Sequence, residues 1–299
     1  MVTRRLSASA VPAPLLVLGG VVSVQFGGAL AAILVPEIGA GPSVLLRLLV
    51  AAGLMLALTR PRVRGYTREQ WLTVGAFGLA LGLMNWSFYA SLAHLPIGVA
   101  VTVEFIGPLT LATVLSRRPR DLLAVAAAAL GVVLISEATE LPLAELDWTG
   151  LALALAAGVC WAAYIILSGR TGAAFPQLDG LTFALVVASA VVLPAGLVGW
   201  DQVGPRHLAF GAGVAVLSSV LPYSLELLAL RRLSAQVFGI LLSLEPAVAA
   251  LAGLVVLGQR LGPAQLVGMA LVVSASVVVL GLGRRGRDVT PDSLAETGG

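Results

Sequence analysis

Lysine is absent from this 299-residue chain, and its 18 basic residues are all arginine. Charge of either sign is scarce: Asp, Glu and Arg together make up 11% of the sequence, where a water-soluble protein carries roughly a quarter. Too few polar side chains remain to cover a globule in water. The single cysteine, Cys160, excludes an internal disulfide framework and a cysteine-based zinc site. The two histidines, His94 and His207, lie far apart in expected loops. No HExxH, no GxxxxGK[ST] and no glycine-rich dinucleotide fingerprint occurs. The residues therefore offer no enzyme, no cofactor and no metal site. The net charge of +3 is not a nucleic-acid signal either, because no basic face with interleaved aromatics exists.

What the chain has is apolar length. Hydrophobic residues make up 59% of it, which identifies lipid as the solvent and predicts an all-α polytopic membrane protein. Ten apolar stretches are expected to span: 14–35, 42–59, 71–91, 98–115, 122–137, 148–168, 180–200, 208–229, 237–257 and 263–283. The first runs about 22 residues, longer than the roughly 7–15 of a signal-peptide core, and is read as an uncleaved span.

The arginines set the expected orientation. With the N-terminus cytoplasmic, Arg4, Arg5, Arg60, Arg62, Arg64, Arg68, Arg117, Arg118, Arg120, Arg170, Arg231, Arg232, Arg284, Arg285 and Arg287 lie inside. Arg206 and Arg260 alone lie outside, with Arg47 within a span. That asymmetry places both termini in the cytoplasm. The acidic loop with Glu137, Glu140, Glu145 and Asp147 then falls outside. The tail 284–299 is expected to be disordered.

Ten spans divide into two halves, 1–144 and 145–283. Leu92 to Pro108 (LAHLPIGVAVTVEFIGP) aligns with Leu230 to Pro246 (LRRLSAQVFGILLSLEP), and Pro246 follows Pro108 at an offset of 138. Glu245 aligns with Gly107, whereas Glu104 lies four residues before its proline. Because five is odd, the second half enters the membrane in the opposite sense. An inverted repeat of this kind is the architecture of alternating-access transporters.

Several strings carry a family resemblance: SVQFGGALAA around Gln25, LLRLLVAAG around Arg47, GLMNWSFYASL around Asn85, VEFIGPL at 103–109 and SRRPRD at 116–121. Further ones are ALAAGVCWAAYIILSGR at 154–170, SSVLPYSLELLALRRL at 218–233 and LLSLEPAVAALAGLVVLGQRL at 241–261. The chain resembles the drug/metabolite transporter superfamily with EamA-type repeats, and within it the threonine/homoserine exporter (RhtA-type) branch. Gln259 departs from the superfamily pattern, which usually has Glu there. The resemblance implies ten helices in two inverted five-helix repeats in a bacterial inner membrane. It also implies export of small hydrophilic amino acids in exchange for protons; the same fold also serves purines, drugs and other metabolites.

Four ionisable residues fall inside spans, each costing roughly 2.5–3.5 kcal/mol at the bilayer centre unless partnered. Glu226, three residues from its helix end and close to Arg231 and Arg232, is expected to snorkel and pair there. Arg47 and Glu104 share a depth and are expected to pair, or to meet a substrate's carboxylate and ammonium groups. Pro108 and Pro246, lacking N–H groups, free the carbonyls of Glu104 and Leu242 beside the acids Glu104 and Glu245. Pro222 and Pro194 likewise free those of Ser218 and Ala190. Gln25 and Asn85 join the candidate pathway or act as interhelical glue. Tyr89, Trp161, Tyr164 and Tyr223, with Trp86, line a pocket or anchor the interface. Gly78 and Gly82 are expected to permit close helix packing, and Cys160 to be a small core residue.

Overall fold

The computed structural model describes residues 11–95, 97–116, 119–135, 147–257 and 262–285, and all regular structure within them is helical. The helices are α1 (Ala13–Ile38), α2 (Ala40–Thr59), α3 (Arg68–Ser91), α4 (Ile97–Leu115), α5 (Pro119–Ile135) and α6 (Trp148–Ala174). They continue with α7 (Asp179–Gly196), α8 (Pro205–Ala215), α9 (Leu221–Leu230), α10 (Ala235–Leu242), α11 (Glu245–Leu257) and α12 (Pro263–Arg285). Helix is the expected choice in lipid, because it satisfies every backbone group internally. Among the described residues, α2, α3, α6, α7 and the continuous rod Pro205–Leu230 are long and apolar enough to cross a membrane. Shorter apolar helices cover Ala13–Gly28, Val99–Leu115, Asp121–Ile135, Ala235–Val248 and Pro263–Ala275. The protein is a multi-pass membrane protein. Arg4, Arg5, Arg117, Arg118, the acidic residues Glu137, Glu140 and Glu145, Gln259, Arg260, the 144/145 boundary and the tail from 286 lie outside the described residues.

Local chemistry sets the helix ends. Only Gly39 separates α1 from α2, at φ +82°, a conformation that glycine adopts without steric cost. Thr67 and Gln70 form a reciprocal capping box at the start of α3. The sixth stretch runs beyond Arg170 and ends where Phe175, extended at φ −113° and ψ 145°, precedes Pro176. The seventh stops earlier than expected, at Gly196, with left-handed Gly199 and a short 3-10 turn at Trp200–Gln202 following.

Two rods are irregular, both beside prolines. Val216–Val220 forms a π turn just before Pro222, in which the Leu221 N–H reaches back to the Val216 carbonyl. The Leu217 carbonyl, freed by that slip, accepts a hydrogen bond from Ser23 Oγ of α1 at 2.6 Å. In the ninth stretch the helix breaks at Ser243–Leu244, so that Glu245 and Pro246 open α11. The sequence reading predicted a bend there, and the structure has a break.

The helices pack through small residues. α3 lies against α6 and α7, and α2 against α7 and α8. α1 lies against α9, the π turn and α11; α4 lies against α6 and α10; α5 pairs with α12. Gly78 and Gly82 meet α7 at Ala184, Val187, Ala188 and Val191, as the spacing predicted. The tightest crossing joins α4 to α6. A Cβ on Gly158 would lie 2.5 Å from the Glu104 carbonyl oxygen, and one on Gly107 would collide with the Gly158 carbonyl. Gly158→Ala is therefore expected to lower the detergent-solubilised melting temperature, overpacking of this kind costing roughly 1–3 kcal/mol. Gly53→Ala, whose new methyl meets nothing within 4 Å, leaves it unchanged or raises it. Thermal melts of the two purified variants check the contrast.

Candidate functional site

A polar cluster crosses the bundle from α2 to α9. Arg47 of α2 is 6% exposed, and its Nη2 donates to Asn85 Oδ1 of α3. Its guanidinium lies over the Tyr89 ring, 5.4 Å from the centroid, a cation–π contact. Asn85 Nδ2 donates to the Leu81 carbonyl at 2.8 Å and to Tyr223 Oη at 3.2 Å. Arg47 Nε is buried without a hydrogen-bond partner, and among the described residues no carboxylate lies within ion-pair distance of the guanidinium. The expected Arg47–Glu104 pair does not form. The guanidinium engages Asn85 and the Tyr89 ring of α3 instead.

Three carboxylates gather on the other side. Tyr164 of α6 donates to Glu226 Oε2 of α9 at 2.6 Å, and its ring lies 5.8 Å from that of Tyr223. Glu226 is 5% exposed. It does not snorkel to Arg231, which instead donates to the carbonyls of Gly172, Phe175 and Gln177 and caps the end of α6. Gln25 Nε2 of α1 approaches Glu245 Oε2 of α11 at 3.5 Å, the outer limit of a hydrogen bond. Glu245 is also close enough to Glu226 and Glu104 for their charges to interact. Glu104 is buried and makes no hydrogen bond through its carboxyl group among the described residues. The carbonyl freed by Pro108 is not open to a ligand, since the Gly158 backbone packs onto it.

The remaining candidates divide. Tyr89, with Trp86, Val44 and Ala195, lines a cavity of about 170 Å³ between the ends of α2, α3 and α7, directly outside Arg47. Trp161 is buried edge-on to Phe105, ring centroids 4.9 Å apart, and supports the α4–α6 crossing. Glu226 is the site residue that sequence reading missed. Ser219, Tyr223 and Glu226 fall at i, i+4 and i+7, which puts Glu226 on the Tyr223 face of α9, and that spacing could have found it.

Residues 148–281 match the family model described as the EamA-like transporter family. The threonine/homoserine exporter RhtA of Escherichia coli strain K12 is 40% identical over 263 residues, covering 85% of this chain and 86% of that protein. The chain belongs to the EamA-like transporter family. It falls in the RhtA-type branch, and the RhtA of Salmonella typhimurium strain LT2 is 39% identical over 260 residues with 85% and 86% coverage. Protein PecM of Dickeya dadantii is 30% identical over 219 residues, 70% of each chain. A solved crystal structure superposes on this member of the family with a TM-score of 0.71 at 21% identity. It covers 91% of this chain and 98% of the other, a likeness of fold.

Both histidines staple the same end of the bundle. His94 Nδ1 meets Asp147 Oδ2 at 2.8 Å; His207 Nδ1 accepts from the Gly204 N–H, so its Nε2–H donates to Glu37 Oε2 at 3.0 Å. The bond from His94, followed by that from the Thr149 backbone N–H, holds the Asp147 carboxyl below its ordinary value of 3.8. A depressed acid stabilises the fold above its ordinary value, and that contribution is lost as pH falls through the folded one. Asp147→Asn is expected to lower the melting temperature at pH 7, the gap to the parent protein closing as pH drops from about 4 downward. A melting series across that range reads it directly.

Proposed function

We propose that this transporter exports small hydrophilic amino acids of the threonine/homoserine type across the bacterial inner membrane, exchanging them for protons by alternating access. The observation that carries the reading is the composition of the central cluster: one buried guanidinium without a carboxylate partner, and three buried carboxyl groups, of which Glu226 is linked to it through Tyr164, Tyr223 and Asn85. An amino acid zwitterion is the complement of that arrangement. Its carboxylate suits the planar fork of Arg47, held in place by Asn85 and Tyr89. Its ammonium suits Glu104, which shares the occupancy with a proton, since the two cannot be held at once. The names of the RhtA relatives support the same substrate class.

Ten spans in two inverted halves, 1–144 and 145–283, with both termini cytoplasmic, provide the moving parts. The packing supports this division: α3 contacts α6 and α7, as the rod Pro205–Leu230 contacts α1 and α2. Cβ atoms placed on Gly131 and Gly268 would each lie 2.7 Å from the other residue's carbonyl, so α5 and α12 cross at two glycines 137 positions apart, within one residue of the offset of 138. Broken helices such as α10–α11, with Pro246 at the break and Pro222 beside the π turn, are the usual setting of transporter sites, and Pro108 lies within the continuous α4. A carrier of purines, drugs or other metabolites on the same fold is the competing reading; a mixed-charge centre disfavours an apolar solute.

The decisive experiment is radiolabelled threonine flux in proteoliposomes with and without an imposed pH gradient. Gradient-stimulated flux competed by homoserine is the expected outcome; no flux of any amino acid from monodisperse protein overturns the reading. Glu104→Gln is expected to abolish proton-coupled flux while the protein still folds. Arg47→Gln, which removes charge-assisted hydrogen bonds worth roughly 1.5–3 kcal/mol, raises the KM for threonine by roughly tenfold to a hundredfold. An unchanged KM removes Arg47 from carboxylate recognition.

A further inference from the structure

Buried hydroxyls in this bundle follow a habit. Ser43, Thr182, Ser189 and Ser218 each donate to the backbone carbonyl four residues earlier, with distances from 2.5 to 3.0 Å. That local bond satisfies a hydroxyl without any neighbour. Ser168 and Thr171 of α6 and Ser219 of the π turn do not follow it. All three are 0% exposed, and their oxygens have no hydrogen-bond partner among the described residues. An unsatisfied buried hydroxyl is costly, so Ser168 and Thr171, on the helix whose Tyr164 holds Glu226, call for a ligand.

The two are not scattered. Tyr164, Ser168 and Thr171 recur at i, i+4 and i+7 along one face of α6, with rises of about 6 and 4.5 Å between them, distances a bridging water spans. Tyr223 and Glu226 stand three residues apart on α9, which packs against α6, while Ser219 lies in the π turn, which packs against α9 and α1. The two stripes are joined by the Tyr164–Glu226 hydrogen bond. One end of the line reaches Asn85 through Tyr223. The other reaches Gly172, where Arg231 caps α6 at the arginine-rich end of the bundle.

We propose that Glu226 is a proton-holding station on a hydroxyl-lined route between the central cluster and the arginine-rich end, with Tyr164, Ser168 and Thr171 as its lining. It rests on the proton-exchange reading above and names a part that reading leaves open: how the proton leaves the centre. The groups facing Glu226 are Tyr164 from α6, Tyr223 from its own helix and, by charge, Glu245 from α11. The α1 side offers only Gly20, whose added Cβ would lie 3.6 Å from Glu226 Cγ. Among the described residues no ion pair holds Glu226 as a carboxylate, since Arg231 is turned to carbonyls. In each cycle the proton moves from the Glu226 carboxyl to water held by Ser168 and Thr171, leaving the carboxylate to accept the hydrogen bond of Tyr164. Proton and charge are conserved, and no further reactant is needed.

The test compares two rates on the same proteoliposomes: threonine–threonine exchange without a gradient, and net threonine flux driven by an imposed pH gradient. If the parent protein shows no gradient stimulation, the exchange reading itself fails. Given stimulation in the parent, Glu226→Gln is expected to lose it while exchange remains measurable. The Ser168→Ala, Thr171→Val double variant is expected to slow the gradient-driven rate by a larger factor than exchange. This second variant keeps the helix face filled and serves if Glu226→Gln does not purify as a folded protein. Parent-like stimulation in Glu226→Gln, or an equal fall of both rates in the double variant, overturns the proposal.

Discussion

A guanidinium in lipid must be solvated by the protein, and in this chain it is solvated without being neutralised. Arg47 is held by the amide of Asn85 and the face of Tyr89, both neutral, so the positive charge stays available. A fixed carboxylate partner would have been the more stable arrangement for a helix bundle that only had to stand. Leaving one out costs stability, and the rest of the centre is organised around that choice. Asn85 is itself oriented by the Leu81 carbonyl and Tyr223. Tyr223 stacks toward Tyr164, and Tyr164 serves Glu226. The acids and the base are thus linked through neutral groups rather than paired.

The same economy of partners governs the backbone. Three prolines remove helical N–H groups near the centre, and each freed or displaced carbonyl is dealt with differently. The π turn before Pro222 releases the Leu217 carbonyl, which Ser23 takes. Pro108 releases the Glu104 carbonyl, which Gly158 covers so closely that no side chain fits. At Pro246 the helix breaks outright and α11 starts at Glu245. Irregular backbone at membrane depth is tolerable only where protein covers it or a cavity lies beside it. The first two points are covered by neighbouring helices, and the third carries a carboxyl group at a half-helix N-terminus.

Much of this was legible in one dimension. Apolar length located the helices, the prolines located the irregularities, and depth selected Arg47, Asn85, Tyr164 and Tyr223, which the structure brings into one line. What depth does not contain is azimuth. Two groups at one height on neighbouring helices look like partners, so Arg47 and Glu104 were expected to pair. Only the rotation of α3 shows that Asn85 intervenes. Glu226 illustrates the opposite error: its neighbours in sequence, Arg231 and Arg232, drew it toward the surface. The helical spacing from Ser219 through Tyr223 turns it inward. The break after Leu242 was read as a bend because a proline excludes one hydrogen bond but does not say how many neighbours follow.

The two ends of the bundle are fastened by different chemistry, which bears on how the proposed rocking is balanced. At one end His94 meets Asp147, and His207 with Arg206 meets Glu37. At the arginine-rich end Arg232 donates to the Val11 carbonyl and Gln70 to the Ala174 carbonyl. His94 and Arg232 stand 138 positions apart, the same offset as Pro108 and Pro246, so under the proposed inverted repeat equivalent corners carry unlike fastenings. Each is a partly exposed contact. A few such contacts hold either end closed by only a small margin. A ligand then needs only a modest difference in affinity between two conformations to reverse their populations. In the proposed cycle a zwitterion engaging both Arg47 and a carboxylate supplies that difference, because the unpaired guanidinium is the group with the most to gain from closure around it.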